Sequence, residues 1–146
     1  MTRMELERIY YLKKELAMWQ ERWAELQADI ALGTKTLDGM PRTATNGINK
    51  PTEDKAVKLE EVSKIIEGKI NEIQYAVCEV DKFILTIEDP LMRIIVRCRC
   101  CQLMKWERVV DQLCEELCEA DEVDIETINA ESVRQMYHRF VKDLPR

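Results

Sequence analysis

Breakers of regular structure are scarce in this chain: four glycines and four prolines in 146 residues, most of them between Gly33 and Pro51. It is therefore punctuated once, early, and is otherwise built for helices. Apolar runs long enough to cross a bilayer are lacking, and Met1-Thr2-Arg3-Met4-Glu5-Leu6-Glu7 has no signal-peptide pattern. A cytoplasmic protein with no membrane partner is expected. Its six cysteines (Cys78, Cys98, Cys100, Cys101, Cys114, Cys118) are then expected as reduced thiols. Gly-rich phosphate loops, metalloprotease motifs and nucleotide fingerprints are all missing. Only one histidine occurs, His138, with no nucleophile motif beside it. The expectation is a non-enzyme that needs no cofactor.

Basic balance is lacking too. The formal net charge is −6, whereas phosphate binding usually accompanies an excess of Lys and Arg. The distribution is uneven, however. Residues 93–113 hold five bases (Arg93, Arg97, Arg99, Lys105, Arg108) against Glu107 and Asp111, and residues 114–126 hold seven acids and no base.

What is present is helical periodicity. From about Thr2 to Leu32, Ile9, Leu12, Leu16, Trp19, Trp23, Leu26 and Ile30 recur in steps of three and four, a heptad seam with charged flanks. The two tryptophans read as core on that seam. Residues 33–51 form a long loop with the turn dipeptides Asp38-Gly39, Met40-Pro41 and Asn46-Gly47, either mobile or functional. A second helix is predicted from a Thr52 cap to about Glu88, its seam running Leu59, Val62, Ile66, Ile70, Ile73, Val77, Val80, Ile84, Ile87. Such a pair is expected to fold back as an antiparallel hairpin over 1–88, and its two long aliphatic seams suit self-association as a dimer.

Asp89-Pro90 ends that arm and opens a second domain, 89–146. There a third helix is predicted from Pro90 to about Cys101, with Leu91, Ile94, Ile95 and Cys98 inward. A fourth starts near Lys105, with Trp106, Val109, Val110 and Leu113 inward. The fifth runs from Ala130 to about Leu144 behind an Asn129 N-cap. Val133, Met136, Tyr137 and Phe140 form the inner face of this last helix, which leaves Ser132, Arg134, Gln135, His138 and Arg139 for a DNA groove. Lys105 and Arg108, at the start of the fourth helix, join that DNA-facing set. The fold class predicted is all-α: a long antiparallel helical hairpin followed by a small helix-turn-helix domain.

Several segments taken together resemble the small phage and prophage transcriptional regulators of the RinA/ArpU type. These segments are 6–15 (Leu6 to Glu15), Asp38-Gly39-Met40-Pro41-Arg42-Thr43, Phe83-Ile84, Asp89-Pro90-Leu91-Met92-Arg93-Ile94-Ile95, Trp106-Glu107-Arg108-Val109-Val110, Glu131-Ser132-Val133-Arg134 and Arg139-Phe140. The resemblance implies a sigma-factor-like C-terminal helix-turn-helix, binding of double-stranded DNA, and activation of late packaging and morphogenesis genes through host RNA polymerase. It makes the last helix the recognition helix: Ser132, Arg134 and Gln135 would meet base edges and phosphates, with His138 and Arg139 one turn on. Leu103 and Lys105 stand where that family usually has a Gly and a capping Ser or Thr.

Two rival readings share the same composition. A small terminase subunit would also join helical oligomerisation to a helix-turn-helix, but as a ring on packaging DNA. A helical adaptor would instead offer its acidic stretch, 114–127, to a basic protein. Cys98, Cys101, Cys114 and Cys118 have spacings that would suit zinc on two helices. Cys98 continues an apolar face, though, and cysteine behaves as a small buried hydrophobe, so no metal is expected.

Overall fold

A computed structural model describes the backbone of residues 1–35, 50–117 and 128–145, and the side chains of these except 33–35 and 50–52. Among the described residues five α-helices run in order: α1 (Arg3–Lys35), α2 (Lys50–Ile84), α3 (Pro90–Val96), α4 (Trp106–Leu117) and α5 (Ala130–Lys142). A π-helical turn, Arg97–Cys101, continues α3. No strand occurs among the described residues, so the chain is all-α. The turn dipeptides of the expected loop and the acidic segment from Cys118 to Thr127 lie outside the described residues.

Packing divides the chain into two compact units. One is Leu12–Glu72, a two-helix arm made of most of α1 and α2. The helices are antiparallel: Lys69 Nζ on α2 lies 2.8 Å from Glu15 Oε2 on α1, and the start of α1, up to Tyr11, packs in one unit with the end of α2, from Ile73 onward. Leu12, Leu26 and Val62 are buried on the expected seams, and Leu16, Trp19 and Trp23 are half-buried. Two helices alone can cover only one side of each seam residue. On α2 the seam departs from expectation at one place. Ile70 is 38% exposed, and Lys69, with a side chain 23% exposed, stands in the seam position between Ile66 and Ile73. Steps of 66, 69 and 73 fit a heptad as well as 66, 70 and 73 do, and hydropathy alone favoured the isoleucine. Lys69 is accommodated because its ammonium reaches both Glu15 and Glu72 while its stem lies along the seam.

The other unit joins Met1–Tyr11 to Ile73–Arg146, with Arg146 itself undescribed. Its most deeply buried side chains come from every helix: Leu6 and Ile9 of α1, Val80 of α2, Ile95 and Val96 of α3, Val109 and Leu113 of α4, and Val133 of α5. Each such burial stabilises by roughly 1.5–3 kcal/mol before chain entropy is counted. The break at Asp89-Pro90 separates α2 from α3 and lies inside this unit. Arg3 N–H donates to the carbonyl of Pro145 at 3.2 Å, so the start of α1 is held by the segment that follows α5.

Local chemistry sets the helix ends. Asp89 caps α3 by accepting from Leu91 N–H at 2.9 Å, and Pro90 fills the first helical position, where no amide is needed. α2 begins at Lys50, so Thr52 stands within its first turn rather than before it, and the helix ends at Ile84 rather than Glu88. Thr86 closes that end by donating its hydroxyl to the Phe83 carbonyl at 2.6 Å. The Arg93 guanidinium reaches back to the carbonyl of Ile87.

Candidate nucleic-acid interface

The turn between the third and fourth helices is four residues, Gln102 to Lys105. The π-helical turn before it is closed by Gln102 N–H donating to the Arg97 carbonyl at 3.3 Å, and by Met104 N–H donating to the Cys98 carbonyl at 3.1 Å. Widening the helix there lets both Cys98 and Cys100 be buried, although two residues apart in an α-helix would face different ways. It also aims Arg99 at the turn. Arg99 Nη1 donates to the Met104 carbonyl at 2.7 Å, and its guanidinium carbon lies 4.8 Å from the Trp106 ring centroid. Leu103 adopts φ 55°, a left-handed conformation rare for a residue with a Cβ.

α5 follows on a well-made cap. Ser132 N–H donates to Asn129 Oδ1 at 2.8 Å, Asn129 N–H donates to Ser132 Oγ at 3.1 Å, and that hydroxyl donates to the Asn129 carbonyl at 2.9 Å. This reciprocal box satisfies the helix start and bears out the Asn129 cap. Val133 and Val141 are buried, while Met136, Tyr137 and Phe140 are half-buried against the unit. Val141 is an inner residue that the sequence reading did not name. The opposite side presents Arg134, Gln135, His138, Arg139 and Lys142, all exposed.

The residues expected to face DNA therefore fall in two environments. Arg134, Gln135, His138 and Arg139 share the outer face of α5. Ser132 is half-buried and its side chain is committed to the cap, so it positions the helix. Lys105 and Arg108 are exposed on the turn and on α4, with Arg108 3.8 Å from Asp111. Local partners hold several of these groups. Arg134 lies 3.7 Å from Glu131 and 3.4 Å from His138 Nε2, and Gln135 donates to Glu131 at 3.2 Å. Such exposed pairs contribute about 0–1 kcal/mol, so a phosphate can displace them at little cost.

Beneath this face Trp106 and Tyr137 pack with ring centroids 5.4 Å apart, and His138 lies 6.4 Å from Trp106. Tyr137 and Cys100 share an O···S hydrogen bond at 3.3 Å. Burial pushes the Tyr137 phenol well up, and it raises the Cys100 and Cys98 thiols. In the sequence Arg99 is one charge among five; only the π-helical turn brings it onto Trp106. Among the described residues no group of three or more metal-capable side chains gathers, and Cys118 of the weighed zinc set lies outside them. No helix among the described residues is long and apolar enough to cross a membrane. No protein-family model, curated protein or solved structure matches the chain.

Proposed function

We propose that this protein is a non-enzymatic, DNA-binding regulator of the phage or prophage type, with α5 as its recognition helix. The observation that carries the reading is the outer face of α5. Arg134, Arg139 and Lys142 stand there against a single carboxylate, Glu131, on a helix whose start is capped and whose inner side is packed. Gln135 and His138 add groups able to hydrogen-bond base edges or phosphate. α4 is the poorer candidate: its exposed residues include Glu107, Asp111, Glu115 and Glu116 against Arg108, a balance that repels phosphate. In this reading Lys105 and Arg108 touch backbone rather than bases.

The arm supports the accompanying proposal of a homodimer. Trp19 and Trp23 are only half-buried and Met18 is 69% exposed, so a second copy would cover apolar surface that one hairpin leaves open. Activation of late genes through host RNA polymerase follows from the family resemblance. The experiment is a gel shift on fragments flanking the protein's own gene, with an Arg134→Ala, Arg139→Ala variant beside it. Sequence-selective binding that the variant loses, with a shallower salt dependence, is the expected result. No shift at low salt would overturn the reading.

A further inference from the structure

Adjoining the outer face of α5 is a cleft of about 470 Å³. Small-molecule sites run from roughly 300 to 1,000 Å³, so it is large enough to hold one. α1 contributes Tyr10 and Tyr11, whose rings stand edge to face 5.5 Å apart. α4 and α5 contribute Trp106, Tyr137 and His138. Leu6 and Cys100, both buried, supply apolar depth. Two cations line the cleft, Arg99 and Arg134, and one carboxylate, Glu7. Tyr10 and Tyr11 remain 46% and 60% exposed, a large aromatic area left to solvent beside charged groups. Leu103, the one described residue other than glycine with positive φ, lines the same cleft, and strained backbone of this kind persists at ligand clamps.

We propose that this cleft binds a free nucleoside monophosphate. A flat heterocycle matches the exposed rings of Tyr10, Tyr11 and His138, because aromatic faces accept any base by stacking; Trp106, already under the Arg99 guanidinium and against Tyr137, forms the wall behind them. The phosphate matches Arg99 and Arg134, whose guanidinium groups suit its oxygens. Glu7 accepts from Arg3 at 2.9 Å through Oε1, and its other carboxylate oxygen offers an acceptor for the N–H edge of a base. Arg99 gives one N–H to the Met104 carbonyl and keeps others for a ligand, and the exposed Arg134 contacts to Glu131 and His138, at 3.7 and 3.4 Å, can yield to a phosphate; phosphate alone would leave the tyrosine rings uncovered. Paired bases in a duplex offer no free ring face, so double-stranded DNA does not fill this cleft. Occupancy engages Arg134, so the nucleotide and DNA compete for that side chain; this consequence alone rests on the DNA-binding reading.

Titration calorimetry of the full chain with adenosine and guanosine monophosphates, up to about 5 mM, tests the site without any DNA present. One nucleotide per chain is expected. Tyr11→Ala should weaken binding at least about five-fold, the weight of one stacked ring, with its thermal unfolding unchanged because Tyr11 is largely exposed. Adenosine, lacking phosphate, should bind about ten-fold or more weakly. Three results would overturn the assignment. They are no heat at the highest concentration, a Tyr11→Ala protein that binds as tightly as the parent, or a short single-stranded oligonucleotide that binds more than about ten-fold tighter than the monomer. Because the titration contains no DNA, its failure is separate from failure of the gel shift.

Discussion

Arg99 and Trp106 lock the turn between them: one guanidinium nitrogen ties the Met104 carbonyl while the guanidinium carbon stands 4.8 Å from the centre of the indole. A seven-residue separation in sequence becomes a direct contact only because the helix widens at Arg97–Cys101. The pair fixes where α4 begins. Arg99→Met removes the charge-assisted hydrogen bond and the cation over the ring together. The expected loss is about 1.5–3 kcal/mol of unfolding free energy in urea, with Arg99→Lys losing less. An Arg99→Met protein as stable as the parent would show the contact to be incidental.

Leu103 makes the neighbouring prediction. Holding a residue with a Cβ at φ 55° costs roughly 1–2 kcal/mol, and glycine adopts that conformation without the clash. Leu103→Gly should be near neutral, since relief of strain is offset by the lost apolar contact of a half-buried side chain and by unfolded-chain entropy. Leu103→Val, β-branched, should cost more than about 1 kcal/mol. Thermal unfolding of the two variants side by side checks the order.

The cap of α5 gives a third. Asn129→Ala should lower stability by about 1 kcal/mol and speed amide exchange at Ser132, while Asn129→Asp should preserve both. Unchanged exchange at Ser132 in the alanine variant would contradict the capping role.

Much of this architecture could be read from residue order alone, and the reasons are physical. Asn129 followed by Ser132, and Asp89 followed by Pro90, are local signals whose hydrogen bonds lie within three residues. The all-α class and the Ile9, Leu12 and Leu26 positions follow from periodicity, which two or more turns enforce. Lys69 in the seam was not legible, because its burial depends on Glu15, more than fifty residues away. Nor was the Tyr10–Tyr11, Trp106 and Tyr137 cleft, which assembles from three helices at opposite ends of the chain.

The buried thiols and phenol set an alkaline limit. Cys98, Cys100 and Tyr137 all have pKa values raised in the folded chain, chiefly by burial. Raised acids favour folding fully below their ordinary pKa, near 9.0 for the thiols, and that favour drains away as pH climbs through the folded values. Stability should therefore hold between about pH 7 and 8 and fall from about pH 9 upward. Alkylation at pH 8 should modify exposed Cys78 first and Cys98 and Cys100 last. Early modification of Cys100 would refute its protection.

Lys69→Leu should raise the urea midpoint of the arm. The substitution returns an apolar side chain to the seam and gives up ion pairs to Glu15 and Glu72 that water already screens. A lowered midpoint would mean that those pairs set the helix register.

The hydrogen bond from Arg3 to Pro145 has a consequence for how the molecule comes to exist. Translation delivers residues 1–11 before 73–145, where their packing partners lie, so they leave the ribosome ahead of the segments that receive them. The arm, 12–72, has no such wait and can pair its helices while the rest is still being made. On this schedule Leu6 and Ile9 wait uncovered, and the larger unit closes only once α5 has been made and can meet α1.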